Sequence, residues 1–463
     1  MAALLILLVC AAWAAPAEYD AAAAKLRVFD ALERSVEARV LRRSVSASAA
    51  AKHAVSSALL DRDARRRRKI VWIIRGRVYV DGPSLKVDVK SGLHARLIQS
   101  IISQRNRGES AVYVFDPSSS GRRDHGDGCK GASDVPALVI ATMQGRCDDI
   151  LVPNPYFGHL KQEWMQDYDK LTQVSSRRKW DNRDKRVFWR GKLSGTADAS
   201  NASCAKEVGN YARLEAAALG MSMKDTFDVK FNDCKPRKKA LTCASLPLTN
   251  AHRAALARGC AAVLAAAVPH EGYVKYQFLA DLPGSVSGSY SRNLNYLWLL
   301  GAVVLRWHAS FESAGDMQVK QWYYAALEHN TTHLDVDVST VFTTVQALKA
   351  DAVWAQALVH HARAVAHTFL RPAALAEYFG AVFDAVENRQ RLDSLEAADL
   401  DAILAGGVHC ADLTRLVRVE AFTAPKGPSR PDQMEPALHH QTPTKPLAGK
   451  NGCTAFRELF FPP

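Results

Sequence analysis

The spacing of apolar residues changes several times along the chain, and each change predicts an element. Ala2 to Trp13 is an unbroken apolar run. Residues 18–68, rich in Ala, Arg and Ser, carry apolar positions at Leu26, Phe29, Leu32 and Val36, which predicts one or two surface helices forming a stem. A strand pattern at 70–74 and another at 77–80, separated by Arg75-Gly76, predict a hairpin. Helical spacing over 95–103 precedes a β-rich run at 111–115, a polar loop at 117–134 and a strand candidate at 135–141. Residues 158–180 read as a helix and then a linker. Lys185 to Trp189 reads as a short strand turning at Arg190-Gly191, before an Ala-rich helix at 210–219 and a β-run at 227–231.

The clearest unit lies between Tyr276 and Trp307. Tyr276 to Leu282 predicts a strand, followed by a Gly/Ser loop over 283–289. Ser291 can cap a helix from Arg292 to Leu300, Gly301 can end it, and Ala302 to Trp307 predicts the next strand. This is a parallel βαβ pattern, so an α/β fold with a parallel sheet is expected. Helices are predicted at 340–350, 353–368 and 373–387, and an extended Pro-, His- and Lys-rich tail after about residue 422.

The apolar start, with Ala12-Trp13-Ala14 as a small-x-small cleavage site, predicts a signal peptide over 1–14, too short for a membrane span. An uncleaved anchor is the alternative. The expected location is the secretory lumen (ER/Golgi) or outside the cell. Of nine cysteines, Cys10 would leave with the signal. The other eight suit disulfides in such a compartment, with 105 full pairings open. Asn201-Ala202-Ser203 and Asn330-Thr331-Thr332 are glycosylation sequons in that setting. The net charge of +13 favours an anionic ligand. Arg65 to Lys69 reads as a solvated basic face, and nucleic-acid binding would require misreading the export signal.

In a parallel α/β sheet, ligands gather where strands end and helices begin. Arg292 would stand in the first turn after the Gly/Ser loop, suited to a diphosphate. Arg190 beside Gly191 could hold phosphate oxygens bidentately. Asp116, after the run Ala111 to Phe115, could take a proton from an acceptor hydroxyl, with Asp124 and Asp127 as competitors. Trp298 and Trp307, set among aliphatic residues, are expected in the core.

Three blocks resemble glycosyltransferase family 90, the protein O-glucosyltransferase, protein O-xylosyltransferase and capsule-associated family. They are Lys185 to Gly195 with Trp180 upstream, Tyr273 to Trp307, and Gln321 to Val336. The second is the most specific, through Lys275-Tyr276, Gly284, Ser291-Arg292 and Gly301 to Leu305. The third matches through Trp322, Tyr323, Tyr324 and His333, and similarity spans residues 70–390. The resemblance implies a GT-B architecture of two Rossmann-like domains facing a cleft. On this scheme 15–69 is the stem, 70–180 the acceptor domain, 181–390 the nucleotide-sugar domain and 391–463 an extension.

The implied activity is inverting, metal-independent transfer of glucose or xylose from a UDP-sugar to a hydroxyl of a protein or glycan. The UDP-sugar is a co-substrate and no cofactor is implied. Asp116 would be the base; Arg190, Gly191, Lys275, Tyr276, Gly284, Ser291, Arg292 and His333 would meet the nucleotide-sugar. Two rivals remain. One is a metal-dependent transferase using an Asp-x-Asp such as Asp335-Val336-Asp337. The other is an inactive descendant that binds sugars or glycosaminoglycans through its basic surface.

Overall fold

The computed structural model describes residues 18–39, 46–60, 69–82, 89–105, 108, 110–116, 135–143, 149–157, 163–194, 208–235, 264–284, 292–308, 319–419, 444–446 and 451–463. Its elements begin with α1 (Ala21–Arg39), α2 (Ala47–Leu60), β1 (Lys69–Ile74), β2 (Arg77–Asp81), α3 (Val89–Arg105), β3 (Ala111–Asp116), β4 (Ala137–Val139), β5 (Thr142–Met143) and β6 (Ile150–Leu151). The chain continues through α4 (Glu163–Arg177), β7 (Asp184–Ser194), α5 (Val208–Ser222), β8 (Phe227–Lys235), α6 (His270–Tyr273), β9 (Tyr276–Asp281), α7 (Asn293–Leu297) and β10 (Val303–Trp307). Then come β11 (Val319–Lys320), β12 (Leu334–Val336), α8 (Val341–Ala350), α9 (Ala352–Val365) and α10 (Pro372–Gln390). Last are α11 (Ala397–Ala405), α12 (Cys410–Leu413), β13 (Leu416–Val419), β14 (Thr444–Pro446) and α13 (Gly452–Phe460).

Two compact units divide the chain. A mid-chain unit comprises Met1–Arg27, Met143–Gly145 and Gln166–Arg371; a split unit comprises Val28–Thr142, Arg146–Met165 and Pro372–Pro463. The fold class is α/β, and its two large sheets are one parallel and one mixed.

The split unit holds a seven-stranded sheet in the order β14-β13-β2-β1-β3-β4-β6. Arg75 and Gly76 take φ of 51° and 73°, the positive values a two-residue hairpin turn demands, so β1 and β2 pair antiparallel as expected. β3, β4 and β6 run parallel. Strand alternation sorts the core: Trp72, Ile74, Val112 and Val114 face one side, while Tyr113 and Phe115 meet α3 and α10 on the other.

Two expectations change here. The second stem helix is not a surface helix: Ala51, Ala54, Val55, Ala58 and Leu59 of α2 are buried against the first face. Its small side chains make the stripe look polar while letting the backbone approach closely. The described part of the tail is likewise built in. β13 and β14 extend the sheet from β2, and Phe456 of α13 meets Trp72 edge-on at 5.0 Å. Cys410 and Cys453 form a disulfide, Cα–Cα 4.8 Å, which ties α12 to α13.

The mid-chain unit holds five strands in the order β12-β10-β9-β7-β8, parallel throughout. Runs such as Val303 to Leu305 are buried on both faces, as a helix-covered parallel sheet requires. The expected β9–α7–β10 unit is present, with Gly301 at φ 62° closing the turn after α7. Trp298 and Trp307 are buried in the core. β7 differs from expectation: it runs on through Arg190-Gly191 to Ser194, with a register irregularity at Gly191/Lys192. A Cβ on Gly191 would lie 2.2 Å from the Trp189 indole, so the glycine serves ring packing inside a strand, not a turn.

Candidate functional site

The order of the parallel strands singles out one place. β7 connects outward to β8, whereas β9, on the other side of β7, connects outward to β10 and β12. Connections that depart in opposite directions leave a crevice at the carboxyl ends of the two central strands, here β7 and β9. Arg213 of α5 spans it. Its Nε donates to Pro283 O at 3.0 Å, its Nη1 to Lys192 O at 2.5 Å, and its guanidinium lies 5.4 Å from the Trp189 ring centre. Burial lowers its pKa to about 10, with Asp281 opposing, so it stays charged at neutral pH. Nothing in its Ala-rich helix marked Arg213 beforehand, because both partners are backbone carbonyls remote in sequence.

Pro283 and Gly284 follow β9, residues 285–291 lie outside the described residues, and Arg292 is exposed at the start of α7. The short helix is clamped from below and beside. Trp298 Nε1 donates to the Tyr323 hydroxyl at 3.1 Å, and that hydroxyl donates to Asn295 Oδ1 at 2.7 Å. His270 lies 2.8 Å from Asn293 Oδ1 and stacks on Tyr296 at 4.0 Å.

A second cluster occupies the carboxyl ends of β10 and β12, where Asp281, Arg306 and Asp335 are lateral neighbours across three strands. Asp335 Oδ1 accepts from His308 Nε2 at 2.7 Å and lies 3.2 Å from His333 Nε2 and 3.9 Å from Arg306 Nη1. Burial pulls the Asp335 carboxyl up, but the His308 and His333 hydrogen bonds and the Arg306 charge hold it well below the usual carboxylate range. His333 is buried; burial lowers its pKa to about 4 against the opposing pull of Asp335. The Arg306 guanidinium rests 4.9 Å from the Tyr324 ring centre. Sequence reading selected His333 but missed this convergence. The available signal was two charged groups, Arg306 and Asp335, each inside an apolar strand.

Set against known proteins, the chain matches no family model and no curated protein.

The expected site residues separate into groups. Gly284 and Arg292 lie beyond the carboxyl end of β9, but Lys275 and Tyr276 lie at its amino end. Six residues of strand, about 20 Å, separate Lys275 from the loop. Tyr276 donates to Asp228 Oδ2 at 2.9 Å and stacks on Phe188 at 4.0 Å. Arg190 is buried in an ion pair with Asp228 at 2.8 Å, also donates to Asp228 O and Trp189 O, and sits 4.4 Å from the Phe188 ring centre. Burial raises the Asp228 carboxyl, but the Arg190 and Tyr276 hydrogen bonds leave it below its ordinary value. The Arg190 fork therefore serves its own protein and is not presented to phosphate.

Asp116 is the last residue of β3, half-buried, with Val139 of β4 as its parallel partner. Asp337 spends Oδ1 on the amides and hydroxyls of Ser339 and Thr340 before α8, a local turn role. In the second sequon Asn330 adopts φ 64°, and the buried Thr332 hydroxyl is bonded within the turn to Glu328. Among the described residues no group of three or more His, Cys, Asp or Glu is arranged to hold a metal ion. No described helix is long and apolar enough to cross a membrane. The expected signal peptide, Asp124, Asp127, Ser291, the first sequon and most of the remaining cysteines lie outside the described residues.

Proposed function

We propose that the chain is an inverting, metal-independent glycosyltransferase of GT-B type. It moves glucose or xylose from a UDP-sugar to a hydroxyl of a protein or glycan acceptor in the secretory pathway. The observation that carries the reading is the all-parallel mid-chain sheet, with its switch crevice at the carboxyl ends of β7 and β9 and with Gly284 and Arg292 beyond the carboxyl end of β9. The family resemblance is most specific over that same stretch.

In this reading the diphosphate lies at the carboxyl ends of β7 and β9. Arg292 stabilises the charge that gathers there as the sugar leaves, while Arg213 holds Pro283 O beyond the end of β9. Asp116 takes the proton of the acceptor hydroxyl. Arg190 has no direct part in the chemistry, since Asp228 already occupies it.

A panel of UDP-sugars tests the reading, with hydrolysis and transfer measured on the full chain with and without EDTA. Turnover of UDP-glucose or UDP-xylose that survives chelation is expected, as is its loss in Asp116→Asn. Turnover that appears only with added manganese overturns the metal-independent mechanism. The capture of Arg190 by Asp228 favours a second reading, a sugar-binding descendant without turnover. Nucleotide binding with no transfer to any acceptor would select it.

A further inference from the structure

Arg306 interrupts an otherwise apolar strand, Val303-Val304-Leu305-Arg306-Trp307, so the sequence places a charge where the parallel sheet favours aliphatic residues. The side chain is 17% exposed and held on several sides. Its guanidinium lies 4.9 Å from the Tyr324 ring centre, and Nη1 is 3.2 Å from His333 Nε2. Such a mounting removes most of the rotational freedom that an arginine loses when it binds a ligand.

Its charge is only partly answered. Asp335 is the nearest carboxylate among the described residues, at 3.9 Å, too far for a hydrogen bond, and its Oδ1 is engaged by His308 at 2.7 Å. A guanidinium carries five N–H donors. Among the described residues the closest polar contact of Arg306 is that of Nη1 with His333 Nε2 at 3.2 Å, a hydrogen bond only in the tautomer that leaves Nε2 unprotonated. The Nε and Nη2 donors have no protein partner among the described residues and keep some accessible surface. This contrasts with Arg190, whose Nη1 and Nη2 are both engaged by protein oxygens. Arg306 stands one strand from β9, whose carboxyl end borders the switch crevice.

We propose that Arg306 is a preset oxyanion seat at the carboxyl edge of the mid-chain sheet, binding through its remaining guanidinium donors a phosphate or carboxylate oxygen of the ligand. Tyr324, His333 and Asp335 are positioning residues that aim the fork. The inference rests on the proposed function only in naming the nucleotide. Two sources share this chemistry: the diphosphate of a UDP-sugar, or the carboxylate of an acidic sugar attached to it.

Calorimetric titration of the full chain with UDP, inorganic diphosphate, UDP-glucose and UDP-glucuronic acid tests it, in wild type, Arg306→Gln and Arg306→Lys. A diphosphate seat makes Arg306→Gln weaken UDP, inorganic diphosphate and UDP-glucose alike, by about tenfold or more, the usual effect of losing charge-assisted hydrogen bonds. A carboxylate seat leaves UDP affinity unchanged and removes a preference for UDP-glucuronic acid over UDP-glucose. Arg306→Lys keeps the charge without the fork and is expected to lose about threefold or more. It decides the matter if the glutamine variant melts early. Affinities within about twofold of wild type for every ligand, in a variant that melts normally, overturn the inference. If wild type ignores UDP but binds inorganic diphosphate in an Arg306-dependent way, the oxyanion seat stands and the nucleotide-sugar reading falls. Binding of UDP, UDP-glucose and UDP-glucuronic acid all indifferent to Arg306 has the reverse meaning.

Discussion

Arg190, inside β7, and Arg292, just before α7, have opposite surroundings, so their substitutions diverge. Asp228→Asn leaves the Arg190 guanidinium buried beside a neutral amide and is expected to cost about 3 kcal/mol in chemical denaturation. Arg292 is exposed, so Arg292→Ala leaves stability within about 0.5 kcal/mol while lowering UDP-sugar turnover about a hundredfold. Equal losses of stability in the two variants would contradict this division. A pH effect belongs at the same scale. His94 is fully buried, stacked on Phe115 at 3.7 Å with its Nε2 3.0 Å from the Tyr113 hydroxyl, and burial lowers its pKa to about 3 from 6.5. The unfolded chain therefore binds this proton first. The neutral ring's contribution is complete above about pH 6.5 and falls as pH drops toward 3, by about 1.4 kcal/mol per unit. Urea midpoints at pH 7.5 and 5 measure it, and His94→Phe is expected to flatten the slope.

Among the elements, the turn after α7 is the most exacting. Gly301 sits at φ 62°, and a Cβ there would lie 2.4 Å from both Arg363 Nη2 and Ser175 Oγ. Arg183 closes the same turn by donating to Leu300 O at 2.8 Å and Ser175 O at 3.1 Å. Gly301→Ala is expected to cost about 2–4 kcal/mol, read from the melting of the mid-chain unit. This unit was legible beforehand because its signals are local: a strand centred on Phe278, Leu279 and Ala280, a Gly/Ser stretch in the sequence and a glycine stop. The hairpin at Arg75-Gly76 was legible for the same reason. Features that depend on distant partners were not. Arg190 meets Asp228 across 38 positions, β13 joins β2 across most of the chain, and the alanine stripe of α2 acquires meaning only against Trp72 and Val112. The disulfide is of this kind too, since cysteine spacing left every pairing open. Cys410 and Cys453 close a 43-residue separation, and Cys453→Ser is expected to lower the split unit's stability by about 2–4 kcal/mol in oxidising buffer. An unchanged unfolding midpoint would count against that contribution.

At the scale of the molecule, one unit is mostly a single stretch, Gln166–Arg371, with short additions, and the other is assembled from three stretches, Val28–Thr142, Arg146–Met165 and Pro372–Pro463. Removing residues 444–463 strips β14 and α13 from the split unit, exposing the partners of Phe456 and Phe460. Two buried phenylalanines represent about 6 kcal/mol or more, a large share of a domain's stability. A red-shifted Trp72 emission and dye binding would report the loss. The formal charge of +13 acts on the whole surface, adding a salt-dependent attraction to any anionic ligand without fixing where it binds.

The split unit also sets a timetable for biosynthesis. Strands β1 to β3 leave the ribosome early, yet the strand that covers the β2 edge, Leu416–Val419, is translated only after the entire mid-chain stretch. At about 5–20 residues per second, that hydrogen-bonding edge stays bare for roughly ten seconds or longer in every nascent copy. Until then that edge can accept a strand from a neighbouring copy, so dilution during refolding is expected to raise the yield of monomer.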